Sequence, residues 1–207
     1  MSHEAKHAEE RTMERTFRAA TQLLDEHDVP YIVIGSIAAD VHGEESWPRR
    51  GSDIDLFLAE DDALRAQKVL GENGFHIEPP DEDWLLKAYR EGVLVDLIFR
   101  AAKTIRLDDE MLERARERNI AGRSVRVISP EDYIVVQAST FSRETPEHWF
   151  NALGVLSRSA VDWDYVLRRA EDRRDRVLSL LVYARANGIT VPASVTRALF
   201  GPLYGAA

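Results

Sequence analysis

The sequence predicts an α/β body followed by a helical bundle, on three observations. Short apolar runs of strand length alternate with helix-period patterns as far as Ile128. The texture then changes at Ser129-Pro130, and no strand-like run follows it. With 44% hydrophobic and 30% charged residues, the chain can fill a core and solvate its surface. Its 207 residues suit an α/β domain over 1–128, including an N-terminal helix, and a helical region over 129–207.

The elements follow in order. Met13, Phe17, Ala20 and Leu24 recur at helical spacing within about Ala5 to His27, which predicts an amphipathic helix. Asp28-Val29-Pro30 stops it, and Tyr31 to Ile34 reads as a strand apolar on both faces. Gly35-Ser36 opens a helix of about two turns that His42-Gly43 ends. Glu44 to Ser52 reads as a loop and Asp53 to Ala59 as a strand with Asp53 and Asp55 on one face. A helix over Asp61 to Asn73 closes at Gly74, and Phe75 to Glu78 follows as a short strand. Trp84 to Tyr89 and Val93 to Phe99 form a hairpin. Asp108 to Arg118 reads as a charged helix, and Ser124 to Ile128 as a last strand. Ser129-Pro130-Glu131-Asp132 is a helix start, with Ser as cap and Pro in the first turn. Helices are expected at about 130–141, 146–157, 163–186 with a break near Asp175, and 193–200.

Composition excludes several functions. A formal charge of -9 argues against a surface that grips nucleic acid non-specifically. The arginines from Arg168 to Arg176 are interleaved with Glu171, Asp172 and Asp175, as on a salt-bridged exposed helix. The absence of cysteine removes disulfides, thiolate metal sites and thiol nucleophiles, and fits the cytoplasm. Met1 to Arg18 is polar, and no apolar run approaches the roughly 20 residues that span a bilayer, so neither secretion nor a membrane partner is expected.

Three motifs carry chemistry. Asp53 and Asp55, two residues apart on a strand, have Cα atoms roughly 6.6 Å apart and point the same way, as sharing of divalent ions requires. Asp96 interrupts the apolar run Val93 to Phe99, where a carboxylate costs several kcal/mol unless it is neutralised, hydrogen-bonded or metal-bound. Gly35-Ser36 joins a strand to a helix start, a turn whose backbone N–H groups and hydroxyl can hold phosphate oxygens. Arg49 and Arg50 precede the acid pair as candidate triphosphate contacts; Arg100, Lys103 and Arg106 read as surface charges. His42 suits a helix cap, and His148 and Trp149 begin a C-terminal helix where an acceptor could bind, with packing as the default role of Trp149.

The order apolar strand, Gly35-Ser36, short helix, Asp53-Ile54-Asp55-Leu56, then Asp96 in a later strand resembles the polymerase-beta-like nucleotidyltransferase superfamily. The segment from Ser129 to Ile134 looks like the helix start of small bacterial nucleotidyltransferases related to abortive-infection toxins, except that Gln137 stands where those carry a lysine. The resemblance implies a mixed β-sheet flanked by helices, with Gly35 and Ser36 on the nucleotide triphosphate. It further implies two magnesium ions, or manganese, held by Asp53, Asp55 and Asp96, and Asp96 helping to orient or deprotonate the acceptor. The acceptor hydroxyl could belong to tRNA, a protein or a small molecule, and a toxin–antitoxin partner is compatible with the resemblance. Two other readings stay open: a non-catalytic nucleotide-binding or regulatory module of the same fold, and metal-dependent phosphate hydrolysis.

Overall fold

The structure, a computed structural model, describes residues 3–42 and 53–205. These fall into two compact units that divide between Ile128 and Ser129. No helix among the described residues is long and apolar enough to cross a membrane.

The first unit runs α1 (His3–Glu26), β1 (Ile32–Val33), α2 (Gly35–His42), β2 (Asp53–Phe57), α3 (Glu60–Glu72), β3 (His76–Ile77), β4 (Leu85–Arg90), β5 (Val93–Ile98), α4 (Asp109–Arg114), β6 (Arg116–Ile120) and β7 (Arg123–Val127). Its described strands form one mixed sheet in the order β3-β4-β5-β2-β1-β7-β6. The β2/β5 and β1/β7 pairs are parallel and the others antiparallel. The predicted stripe of α1 is the buried one: Met13, Phe17, Ala20 and Leu24 all face the core. Burying a side chain such as Phe17 or Leu24 contributes about 1.5–3 kcal/mol, which fixes the helix more firmly than its own propensity does. Ile32, Ile54, Leu56 and Leu97 fill the middle of the sheet with no exposed surface.

Two tight turns set the strand registers. Glu91 (φ 51°) and Gly92 (φ 79°) both take left-handed backbone, as a two-residue hairpin turn requires, and so do Ala121 (φ 52°) and Gly122 (φ 79°). The second turn accounts for a correction. The charged helix expected over Asp108 to Arg118 ends at Arg114, and Arg116–Ile120 is a strand paired with β7. An edge strand needs few apolar residues and gains from charges that deter further pairing, so its composition imitates a solvated helix.

The second unit is helical among its described residues: α5 (Pro130–Thr140), α6 (Glu147–Arg158), α7 (Trp163–Arg169), a 3-10 turn (Glu171–Arg173), α8 (Arg174–Ala186) and α9 (Ala193–Tyr204). Ser129 caps α5 as expected: its Oγ accepts from the Asp132 amide at 3.0 Å and donates to Asp132 Oδ2 at 2.8 Å. Asp132, 1% exposed, also accepts from Tyr165 Oη at 3.0 Å and pairs with Arg169 Nε at 3.0 Å. Glu131 accepts from the Asp162 amide at 2.9 Å. The helix start therefore bolts α7 to α5 as well as capping a helix end. The run 163–186 is interrupted at Ala170 to Arg173, earlier than the expected Asp175, by the 3-10 turn in which the Arg173 amide donates to the Ala170 carbonyl at 2.8 Å.

Candidate active site

Parallel pairing of β2 with β5 sets Asp55 directly opposite Asp96, and Asp53 opposite Leu94. The strand period of two then carries Asp53 onto the same face. Asp53, Asp55 and Asp96 each offer a carboxylate oxygen, and these oxygens lie within 4.8 Å of one another. The three acids are half-buried, so their mutual repulsion is poorly screened. Burial, followed by the charges of Asp53 and Asp96, pushes the Asp55 carboxyl up to about 8. Burial and then Asp53 push Asp96 up to about 6, against the opposing pull of Lys87.

Gly35 completes the wall. It sits at φ +65°, and a Cβ built there lies 1.8 Å from Asp55 Oδ2, so neither the backbone angle nor the space admits a side chain. The Ile34 amide donates to the Asp55 carbonyl at 3.0 Å, which ties the turn to β2. Beside it Ser36 Oγ is buried without a hydrogen-bond partner among the described residues, as is Asp96 Oδ1. Buried polar atoms left without partners are costly, and two of them at one site suit a ligand that supplies the missing bonds.

Comparison with known proteins decides the family. Residues 13–181 match the family described as nucleotidyl transferase of unknown function (DUF2204). The chain belongs to this nucleotidyltransferase family. Three solved structures are similar to it in fold. The antibiotic-resistance factor ANT(2'')-Ia is 19% identical, with 86% of this chain and 99% of that one covered and a TM-score of 0.57. The lincosamide antibiotic adenylyltransferase LnuA, solved with lincomycin bound, is 18% identical over 70% and 97% of the two chains, with a TM-score of 0.51. An antigenic nucleotidyltransferase-like protein from Paracoccidioides brasiliensis is 18% identical over 91% and 92%, with a TM-score of 0.56. No curated protein matches the sequence.

In this nucleotidyltransferase the donor set fits a hard divalent cation: three carboxylates close together, with a buried oxygen left open on Asp96. Arg49 and Arg50 lie outside the described residues. Arg100 and Arg106 are both bound to Glu60, at 3.0 and 2.7 Å, and Lys103 is exposed in a turn. His42 is buried and its Nε2 donates to the Ile128 carbonyl at 2.8 Å, so it fastens α2 to the end of the last strand. In the helical unit Trp149 stacks on Phe141 with ring centroids 4.4 Å apart. Gln137 is buried and accepts from His148 Nδ1 at 2.7 Å.

Sequence reasoning missed Lys87. On β4 it stands opposite Asp96, and its Nζ pairs with Asp81 at 3.1 Å. The signal was present: a two-residue turn at Glu91-Gly92 pairs Arg90 with Val93, and counting back along the hairpin brings Lys87 to Asp96.

Proposed function

We propose that this nucleotidyltransferase moves a nucleoside monophosphate from a nucleoside triphosphate to the hydroxyl of a small acceptor, in a magnesium-dependent reaction that releases pyrophosphate. The convergence of Asp53, Asp55 and Asp96 beside Gly35-Ser36 carries the reading.

The residues divide the work by position. Gly35 gives the chain the close approach that a phosphate oxygen needs, and Ser36 Oγ, without a partner of its own, donates to the β- or γ-phosphate. Arg49 and Arg50, next to the acid pair in sequence, supply charge for the same group. Asp53 and Asp55 would hold two divalent cations, and Asp96 would hold one of them and orient or deprotonate the acceptor hydroxyl. Magnesium or manganese held there would supply Lewis-acid stabilisation of the α-phosphate and of the departing pyrophosphate. The acceptor oxygen forms its bond to the α-phosphorus in line with the bond to the bridging oxygen, which breaks and leaves with its electron pair.

A small acceptor is favoured over tRNA by charge. All nine units of net negative charge fall on residues 1–128, since 129–207 contain nine arginines and nine acids. Glu78, Asp81, Glu82 and Asp83 cluster before β4, so a polyanion would meet repulsion there. The similar ANT(2'')-Ia has been crystallised with adenylyl-2''-tobramycin, a nucleotidylated small molecule.

The test is incubation with each α-labelled nucleoside triphosphate, magnesium or manganese, and a cell extract separated into macromolecules and metabolites. Label in the metabolite fraction, absent with Asp53→Ala, is the expected result. Label in RNA or protein refutes the small acceptor. Release of phosphate without transfer indicates hydrolysis, and nucleotide binding without turnover indicates a regulatory module, a reading that the replacement of a lysine by Gln137 would then explain.

A further inference from the structure

Among the described residues, six of the seven large hydrophobic side chains that stand exposed lie in the helical unit: Phe150, Val182, Tyr183, Phe200, Leu203 and Tyr204, at 38–65% exposure. They belong to α6, α8 and α9, and Val182, Tyr183, Phe200 and Tyr204 among them line a groove of about 1060 Å³ that Trp149 and Leu178 also wall. Trp149 packs against Tyr183 at 5.7 Å and Phe200 against Tyr204 at 4.8 Å, so two aromatic pairs line the groove. Small-molecule pockets run roughly 300–1,000 Å³, and this groove is at the upper limit.

We propose that two copies of the chain associate through this aromatic groove. Three features favour a second copy over another occupant. An isologous contact needs one patch that holds both projections and a recess, and here the projecting Phe200 and Tyr204 rings of α9 are themselves a wall of the recess. Charge points the same way. The helical unit has no net charge, so a contact made by this unit with its own copy adds no repulsion from its own residues, whereas a contact through the α/β units would bring two -9 surfaces face to face. The area is adequate: fully burying an aromatic side chain removes about 150–250 Å² from water, so these half-exposed groups contribute on the order of 500 Å². A standard interface takes about 800 Å² from each partner, and Ser179, Ala186, Thr196 and Arg197 line the same groove beside these groups.

The test is sedimentation of the full chain over a range of micromolar concentrations. The expected species has twice the 23.5 kDa chain mass, and Phe200→Asp and Tyr204→Asp each weaken its dimer by about tenfold or more. Leu64→Asp, at an exposed large hydrophobic outside the patch, leaves the dimer intact. Because the chain contains no cysteine, Tyr204→Cys gives a second readout that does not require a disruptive change: mild oxidation links two copies, and Leu64→Cys does not. A monomer at every concentration overturns the proposal, including one whose melting temperature rises with an amphipathic small molecule. A dimer indifferent to both α9 changes, or linked as readily through position 64, overturns it too.

Discussion

At Gly35 a single methyl group separates a working site from a blocked one. A Cβ there would lie 1.8 Å from Asp55 Oδ2 on backbone at φ +65°, so Gly35→Ala has to displace the carboxylate, the turn or both. We expect it to lower transfer about 100-fold or more and to cost about 1–3 kcal/mol in urea unfolding, because the left-handed strain adds to the clash. Asp55 itself links the site to pH. Its carboxyl titrates near 3.8 in an unfolded chain and near 8 in the folded one, so between these values the folded state holds the extra proton. The stability of the cation-free protein should therefore fall as pH rises through that window, with Asp96 adding to the fall up to about 6. Thermal unfolding across the window should show the slope, Asp55→Asn should flatten it, and added magnesium should restore most stability at the alkaline end, where the ligands are deprotonated.

Individual elements were legible to different degrees, and the reason is how locally each is specified. The face shared by Asp53 and Asp55 follows from the strand period alone, and the buried stripe of α1 from the helical one. β6 was hidden because edge position, a property of the sheet, lets Arg116, Glu117 and Arg118 sit in a strand. The start of α5 was readable as a cap, but its tertiary role was not: Tyr165 and Arg169 reach Asp132 from more than thirty residues away. Removing that carboxylate takes away the buried charge on which Ser129 Oγ, Tyr165 Oη and the Arg169 guanidinium converge. Asp132→Ala should then cost about 3–5 kcal/mol, and Tyr165→Phe, which deletes one hydroxyl, about 1–2 kcal/mol, both measured by urea unfolding.

For the molecule as a whole, Asp96 lies forty-one positions after Asp55 in sequence and meets the acid pair only because β5 returns beside β2 in parallel. A sequence read alone supplies Asp96 as an unexplained charge in an apolar strand; the sheet order supplies its neighbours, Asp55 on one side and Lys87 on the other. The fold thereby brings the Gly35 turn against a cluster of three carboxylates, and the nucleotidyltransferase family assignment rests on the chain from Met13 to Leu181. The most direct measurement is a calorimetric titration of the protein with manganese, repeated with Asp53→Asn, Asp55→Asn and Asp96→Asn. If the three carboxylates form one centre, the wild type binds saturably and each substitution weakens binding by about tenfold or more. Binding by Asp96→Asn equal to that of the wild type would contradict the three-acid centre.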